Sequence, residues 1–564
     1  MTKALTIRVA AAQFHVGADL EANLATCLHW LDQASQCLPQ LVVLPEFCNH
    51  LSWYEDKQHC FDVSVRLDGP FLAAIADKAR EHGFHVVVNC TVQREDGSAT
   101  GSSLLYGPSG ELLADNTKQI YIGHENDFLA RAVTEGPVVA TAIGRLGLYA
   151  CMDGVINETP RCLALNGAQL MLNSLNSFAT DEASLHIPVR AAENKVFVIA
   201  ANKVGPLVPE PMLEGISAAT GIPLDFLCGA GESQVVAPDG TVLAMASRNG
   251  PQYIYADIDP AVADDKRRPD GTDIFRSRRP ELYRAIGSDP AGQALPAMSG
   301  RAEAEVAVVQ LATGGDLDEA CARVAEAVAA GAELVALPPL ESPSGDLAEA
   351  VAFGEQAVAR LAQACAGAHV ATALVRGNAD DGYQYCAVLV GADGIVHCQA
   401  QVHACARHEY SRLVDSFGSV DLPLGRVAVI TSDDSIYPET FRLLAMAGVE
   451  VVAVPLSPLE DWELHTGLLE RSAENRINLL VAPDTRAYGP GFITALQTDF
   501  TVMTEWRERP FDGLLSQPQW HVCPPAPGVY LQTIRPANAA NKVVSRNTDL
   551  LADRPWDLAA AICR

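Results

Sequence analysis

The cysteine at position 151 stands out chemically, because its surroundings occur twice in this chain and the thiol occurs in one copy only. The first copy, residues 144–153, reads GRLGLYACMD, and the second copy, residues 425–434, reads GRVAVITSDD. Similar segments follow both copies, with ETPR at 158–161 and ETFR at 439–442. The thiol of Cys151 thus corresponds to the hydroxyl of Ser432. This pattern predicts a reactive first half and an inert second half.

Two further side chains could support a thiol nucleophile. Glu46 follows an apolar strand, where a carboxylate is costly unless it carries protons or has partners. Lys118 could bind the oxyanion that forms when a thiol attacks an amide carbon. Cys151 itself ends an apolar strand and precedes a helix that we expect to begin near Asn157. A cysteine near a helix N-terminus and a lysine is expected to have a lowered pKa.

The repeat extends over nearly the whole chain. Residues 9–14 match 306–311, and RAAEN at 190–194 matches RSAEN at 471–475. Between the copies, a segment rich in Ala, Gly and Pro suits a linker. We therefore predict a catalytic domain at 1–285, a linker at 286–303 and a degenerate domain at 304–564. Each copy also has one apolar helical stripe, formed by Leu20, Leu24, Cys27, Leu28 and Leu31 in the first and by Leu317, Cys321, Val324, Ala325 and Val328 in the second.

The order of secondary structure predicts an α/β fold, because short apolar strands alternate with helical segments in both copies. Tight-turn sequences at 108–110, 238–240 and 393–394 lie between apolar strands and predict hairpins. Hairpins exclude a purely parallel, doubly wound sheet. The sequence also lacks a glycine-rich phosphate loop, so we expect no nucleotide cofactor.

Composition excludes several other classes of protein. The 564 residues carry a formal net charge of -29, which argues against nucleic acid or an anionic membrane as a partner. Fifteen cysteines form no CxxC pair, and their odd number cannot pair completely, which indicates reduced thiols in a cytoplasmic protein. We find no signal-peptide pattern and no apolar segment long enough to span a bilayer.

The order of the motifs resembles that of the nitrilase, or carbon–nitrogen hydrolase, superfamily. Glu46 in LPEF, Lys118 in TK and Cys151 in CMD follow the order of that family's Glu-Lys-Cys triad, and RAAEN and the segment 231–240 resemble its later signatures. The resemblance implies a four-layer αββα sandwich in each half. Family members dimerise by continuing the sandwich, so the two fused copies would form an internal pseudo-dimer, and a further homo-oligomer stays open.

The resemblance also implies supporting residues around the triad. Glu125 corresponds to the family's second glutamate, which positions the lysine and the substrate, although the neighbouring His124 or Asp127 could share this role. The backbone N–H of Met152 would help to bind the oxyanion, and Asp153 belongs to the cysteine motif. Substrate specificity is expected in loops around Tyr54, 124–128, 176–178 (including Asn176) and 208–228.

The second half departs from this pattern at each triad position. Pro339 replaces the glutamate, Ser432 replaces the cysteine, and either Gln401 or Val402 replaces the lysine. The second copy contains no lysine before Lys542, so a serine nucleophile would lack both its base and its oxyanion cation. We predict a folded but inactive domain.

A dense group of metal-ligand types in the second half is a separate candidate. Its spacing matches no familiar zinc site, and strand alternation would divide the side chains between two faces. A strand with a buried cysteine followed by a polar loop is the alternative, and we expect no metal. The group consists of His397, Cys398, His403, Cys405 and His408.

The sequence therefore predicts an amidase-type hydrolase acting on a small linear amide or carbamoyl compound through a cysteine thioester, with release of ammonia or an amine. The Cys-x-Asp of residues 151–153 resembles many amidases and carbamoylases of the family, whereas nitrilases tend to have Cys-Trp-Glu. Two alternatives remain open: a catalytically silent metabolite-binding or scaffolding protein of the same fold, and a nitrilase proper.

Overall fold

The computed structural model describes residues 6–291, 296–342, 344–484 and 487–564. Its first half contains eight α-helices and a π-helical turn, Glu182–His186, within the described part. The helices are α1 Leu20–Ser35, α2 Lys57–Asp62, α3 Pro70–His82, α4 Glu125–Phe128, α5 Met152–Val155, α6 Glu158–Leu165, α7 Ile187–Asn194 and α8 Leu213–Thr220. The strands are β1 Ile7–Gln13, β2 Leu41–Val43, β3 His85–Gln93, β4 Ala99–Tyr106, β5 Leu112–Thr117, β6 Val138–Thr141, β7 Gly144–Ala150, β8 Leu170–Ser174, β9 Phe197–Ala201, β10 Val204–Pro206, β11 Cys228–Ala230, β12 Gln234–Val236, β13 Val242–Met245 and β14 Gln252–Ile258.

The second half repeats this order with fewer helices and has its own π-helical turn, Glu463–Gly467. The helices are α9 Leu317–Ala329, α10 Leu347–Ala364, α11 Pro438–Met446 and α12 Leu468–Asn475. The strands are β15 Ala304–Gln310, β16 Leu334–Ala336, β17 His369–Asn378, β18 Gly382–Gly391, β19 Gly394–Ala400, β20 Val420–Leu422, β21 Gly425–Val429, β22 Val451–Leu456, β23 Asn478–Pro483, β24 Phe492–Ala495, β25 Gln519–Val522, β26 Gly528–Ile534, β27 Val543–Ser545 and β28 Thr548–Asp549.

Each half contains two six-stranded mixed sheets. In the first half the strand orders are β14-β1-β2-β3-β4-β5 and β13-β12-β9-β8-β7-β6, and the second half has the orders β19-β18-β17-β16-β15-β26 and β20-β21-β22-β23-β24-β25. The central strands β1-β2-β3 and β7-β8-β9 are parallel, whereas the outer strands pair with them in antiparallel orientation. The mixed α/β fold predicted from the sequence is confirmed.

The two sheets of each half pack face to face with helices outside them. In the first half, Val9 and Val43 of one sheet share an apolar core with Leu148 and Leu172 of the other. Helices α1 and α3 cover the outer face of the first sheet, and α6 and α7 cover that of the second. This is the four-layer αββα arrangement, in which every sheet is buried on both faces.

The predicted apolar stripe of α1 is partly wrong. Leu20 is 37% exposed, and the buried face is formed by Asn23, Cys27, Leu31 and Ala34. Asn23 can be buried because its side-chain amide donates to the carbonyl oxygens at positions 17 and 49. Helix α9 shows a similar difference, since Ala325 of its predicted stripe is exposed.

The two halves are joined through buried ion pairs that repeat with their roles exchanged. Arg161 of α6 pairs with Glu439 of α11 at 2.9 Å, and Arg442 of α11 pairs with Glu158 of α6 at 2.7 Å. The same reciprocity links α7 and α12, through the pairs Arg190–Glu470, Arg190–Glu474 and Arg471–Glu193. Such reciprocal contacts are the pattern of an isologous dimer interface.

Two further predictions concern the linker between the halves and the absence of a membrane-spanning segment. The predicted linker, 286–303, includes residues 292–295, which lie outside the described residues. Within the described ranges, none of the helices combines the length and the apolar character that crossing a membrane requires.

Candidate active site

Cys151 lies at the carboxyl end of β7, in the turn that leads into α5. Its backbone has φ 48° and ψ -110°, a conformation that costs a non-glycine residue about 1–3 kcal/mol and that is concentrated at functional sites. Its N–H donates to the Ser174 carbonyl at 3.1 Å and lies 3.2 Å from Oδ1 of Asn173. These bonds to β8 hold the thiol outside the ends of the parallel strands, where ligands bind in α/β sheets.

Glu46 reaches the same place from the opposite sheet. Its N–H donates to the carbonyl of Leu175 at 3.1 Å, and the hydroxyl of Ser174 donates to the carbonyl of Leu44 at 2.8 Å. The next residue, Phe47, has φ 49°. The end of β2 is thereby fixed against the end of β8, next to the residue that holds Cys151.

Lys118 follows β5 and completes a fully buried charge cluster. Its Nζ lies 2.8 Å from Glu46 Oε1 and 3.0 Å from Glu125 Oε2. The side chains of Glu46 and Lys118 are both 0% exposed. The hydroxyl of Ser52 donates to the other oxygen of Glu125 at 3.2 Å. Glu46 Oε2 has no hydrogen-bond partner among the described residues, so it is the oxygen that can receive a proton.

The charges of this cluster determine which groups are ionised. Burial lowers the pKa of Lys118, but Glu125 and Glu46 raise it more and hold it well above its usual value. Burial raises the pKa of Glu46, and Lys118 opposes this. The lowered pKa that we predicted for Cys151 is wrong: burial first and the charge of Glu46 second raise it well above the ordinary thiol value. The raised pKa favours the protonated thiol of Cys151 at neutral pH.

The other predicted site residues occupy different positions. Asp153 is not among the cavity-lining residues, and it accepts hydrogen bonds from the N–H groups of Gln119 and Ile120, which fixes the segment after Lys118. His124 hydrogen bonds to the carbonyl of Ser52 and packs on Trp53, outside the set of cavity-lining residues.

A cavity of about 40 Å³ opens beside Cys151, and both halves line it. Met152 and Asn176 belong to the first half, whereas Leu515, Ser516 and Val544 belong to the second. Asp181 of the first half anchors this second-half wall, because its Oδ2 accepts hydrogen bonds from three successive backbone N–H groups. Their distances are 3.0 Å for Leu515, 2.6 Å for Ser516 and 3.0 Å for Gln517.

Sequence reasoning missed several buried ionisable residues near the thiol, among them Lys203, Asp181 and Glu182. Lys203 follows β9, is fully buried, and its Nζ lies 5.9 Å from the ring centre of Phe47. Burial lowers the pKa of Lys203 to about 8. Asp181 and Glu182 line the cavity itself. The repeat could have indicated Glu182, since it precedes Arg190 by the same spacing that separates Glu463 from Arg471.

At the corresponding position of the second half, a serine hydroxyl is hydrogen bonded to the backbone. The hydroxyl of Ser432 donates to the carbonyl of Ser457 at 3.0 Å and lies 3.0 Å from the N–H of the same residue. Unlike Cys151, Ser432 does not have a positive φ. Asp434 accepts from the N–H groups of Val402 and His403, as Asp153 does from those of Gln119 and Ile120, so Gln401 is the counterpart of Lys118.

The structure divides the predicted metal-ligand group. His397 and Cys398 lie on β19, whereas Cys405 and His408 meet at Asp433, with donor atoms within 4.8 Å of one another. The carboxylate of Asp433 also binds two guanidinium groups, from Arg268 at 2.7 Å and from Arg407 at 2.8 Å. A divalent cation would have to displace both.

Comparisons with known proteins agree with this architecture. A sequence model described as "Carbon-nitrogen hydrolase" matches residues 8–268 and 305–507. A nitrilase of Pyrococcus abyssi is 28% identical over 265 residues, which cover 47% of this chain and 93% of the relative. The human deaminated glutathione amidase is 27% identical over 298 residues, which cover 50% of this chain and 84% of the relative.

Among solved structures, a mutant of the Nesterenkonia AN1 amidase from the nitrilase superfamily is similar at 25% identity, with a TM-score of 0.41. The match covers 50% of this chain and 96% of that protein. The family model alone accounts for most of the sequence, in two successive copies. The chain therefore belongs to the carbon-nitrogen hydrolase family.

Proposed function

We propose that this chain is an amidase-type hydrolase that cleaves the C–N bond of a small linear amide or carbamoyl compound through a thioester on Cys151. The observation that carries the proposal is the buried ammonium of Lys118, bound by Glu46 and Glu125 beside a thiol on a strained turn. A buried cation and a buried base next to a nucleophile are what acyl transfer from an amide needs.

The first step forms the acyl-enzyme. Glu46 takes the proton of the Cys151 thiol through its Oε2 as the sulfur attacks the carbonyl carbon. The negative charge that develops on the carbonyl oxygen is stabilised by Lys118 and the backbone N–H of Met152. When the C–N bond breaks, Glu46 returns the proton to the leaving nitrogen, and ammonia or an amine departs.

The second step hydrolyses the thioester. Water enters the position of the departed amine and gives a proton to Glu46, while its oxygen attacks the thioester carbon. Lys118 again stabilises the oxyanion. Collapse of the intermediate releases a carboxylic acid and Cys151 thiolate, which recovers its proton from Glu46.

We propose an architectural role for the second half, residues 304–564, as the inactive partner of an internal pseudo-dimer with the catalytic half, residues 1–285. Its side chains wall the cavity while its own Ser432 is bound to the backbone. The unpaired state of all 15 cysteines is compatible with a reducing, cytoplasmic environment.

Ammonia release from a panel of linear amides and carbamoyl compounds tests the proposal. We expect turnover by the wild type, loss of it in Cys151→Ala, and unchanged turnover in the control Cys321→Ala, which alters a half-buried thiol of α9. Equal activity of the wild type and Cys151→Ala would refute the mechanism. No turnover of any compound would favour a silent binding protein, and faster acid formation from a nitrile than from its amide would favour a nitrilase.

A further inference from the structure

One wall of the catalytic cavity offers hydrogen-bond acceptors. Asn176 Oδ1, Asp181 Oδ1 and Glu182 Oε2 are buried and have no hydrogen-bond partner among the described residues. All three side chains line the cavity that contains Cys151. Asp181 is 0% exposed and Glu182 is 4% exposed. Since an unsatisfied buried acceptor is costly, this wall favours a ligand that brings N–H donors.

The second half contains the same glutamate with its partner present. Glu463 begins the π-helical turn before α12, as Glu182 begins the turn before α7. The carboxylate of Glu463 binds the guanidinium of Arg268, with Nη2 at 2.8 Å and Nε at 3.2 Å. The carboxylate of Asp433 binds the same guanidinium from another side at 2.7 Å. The second-half site thus encloses the guanidinium of Arg268, a residue of the first half, between two carboxylates.

The repeat identifies the residue that takes the place of Arg268 at the first-half site. Arg268 precedes Thr272 by the same spacing that separates Val544 from Thr548, so the two residues correspond. Val544 lines the catalytic cavity. The first-half site therefore keeps the glutamate, Glu182, but receives an isopropyl group from Val544 of the second half and has open space beside it. The second-half site receives a guanidinium at this position, from Arg268 of the first half.

The charges around Glu182 also favour a cation. Asp181 precedes it, Glu46 lies across the site, and Glu470 approaches from α12 of the second half, whereas His186 is the positive group on its own turn. His186 is already paired with Glu470 at 2.8 Å. Burial, opposed by His186 and supported by the three carboxylates, raises the pKa of Glu182 to about 7. A bound cation would stabilise the ionised form and release a proton.

We infer that the substrate carries a cationic nitrogen, an ammonium or guanidinium group, at the end opposite its scissile carbon, and that Glu182 binds this group. The inference rests on the proposed function, because Cys151 must then receive the amide or carbamoyl end. The small cavity limits the spacer between the two ends to a few methylene groups. Glycinamide, β-alaninamide and γ-aminobutyramide are suitable probes, with propionamide, butyramide and valeramide as neutral isosteres.

Binding tests the inference without requiring turnover. Calorimetry on full-length Cys151→Ala should show at least one ammonium amide binding about 30-fold or more tightly than its isostere, the range expected for a buried charge pair. Titrations in buffers of different ionisation enthalpy should reveal proton release. The double variant Cys151→Ala/Glu182→Gln should lose both the preference and the proton release. Equal affinity within every isosteric pair, or no binding of any ammonium amide, would overturn the inference.

Kinetics separate this inference from the proposed function. In Glu182→Gln, the ratio of kcat/KM for the preferred ammonium amide to kcat/KM for its neutral isostere should fall about 30-fold or more. Glu463→Gln is the matched control, since it alters the corresponding carboxylate of the second half, and it should leave the preference intact. Turnover of neutral amides without any ammonium preference would refute the inference and leave the hydrolase proposal standing. Preferential binding of an ammonium amide without any turnover would support the cation site at Glu182 and refute the hydrolase proposal.

Discussion

Replacing Glu439 with glutamine tests the ion pairs that hold the two halves together. Its Oε1 lies 2.9 Å from Nε of Arg161 and 3.1 Å from Nε of Arg278, both residues of the first half. All three side chains are at most 4% exposed. The substitution keeps the shape of the side chain and removes its charge.

The expected loss follows from the pKa of this carboxyl group. Burial raises the pKa of Glu439, but Arg161 and Arg278 lower it further, from 4.5 to about 2. At about 1.4 kcal/mol for each pH unit between the two values, the charge contributes roughly 3.5 kcal/mol to the free energy of unfolding. Because the folded pKa is depressed, this contribution is present above pH 4.5 and is lost as the pH falls towards 2.

Urea unfolding at pH 7 and pH 4 measures this contribution. We expect Glu439→Gln to be roughly 3.5 kcal/mol less stable than the wild type at pH 7, and the difference to shrink by about 1 kcal/mol at pH 4. Glu505→Gln is the control, since Glu505 and its partner Arg507 are largely exposed, and it should change stability by about 0.5 kcal/mol or less. If Glu439→Gln is no less stable than this control at pH 7, the reasoning about the interface is refuted.

Three further predictions concern catalysis. Lys118→Met should lower kcat, measured as ammonia release, by about 10²–10³-fold because the oxyanion loses its cation. A decrease of less than tenfold, which is about 1.4 kcal/mol of activation free energy, would contradict that role. The double variant Cys151→Ala/Ser432→Cys should stay inactive in the same assay, because the thiol would lie where the Ser457 backbone binds the hydroxyl and because Pro339 and Gln401 replace the base and the oxyanion cation. Activity of this variant would contradict the inert assignment. The acid limb of kcat/KM should lie above pH 4.5, because burial raises the pKa of Glu46 and the ionised form is the base; a limb at or below 4.5 would exclude Glu46 from this role.

The repeat and the strand patterns were sufficient to predict two α/β domains with hairpins, because each strand is short, apolar and bounded by turn residues. The four-layer arrangement was implied only by the resemblance to the carbon–nitrogen hydrolase superfamily. The exact buried face of α1 was not predictable from hydrophobicity. Asn23 is buried because two carbonyl oxygens from distant loops accept its amide protons, and Leu20 is exposed at the beginning of the helix. Such contacts depend on tertiary structure.

The candidate site was predictable only in part, for a similar reason. Motif order indicated Glu46, Lys118 and Cys151, and the structure brings the first two into direct contact. The extent of burial of Cys151 and Glu46 could not be predicted from the motifs, so the predicted direction of the pKa shift of Cys151 was wrong. Glu182 is a candidate cation-binding residue because Val544 replaces the arginine found at the second-half site. Val544 lies in the other half of the chain and reaches the cavity only in the folded protein.

The central claim is that Cys151 forms a covalent acyl intermediate, and mass spectrometry of the intact protein tests it most directly. Rapid acid quenching during turnover of an amide should yield a protein heavier by the mass of the acyl group, and peptide mapping should assign the added mass to Cys151. The adduct should be absent from Cys151→Ala and present in Cys321→Ala. Turnover without any adduct, or an adduct on another residue, would contradict the thioester mechanism.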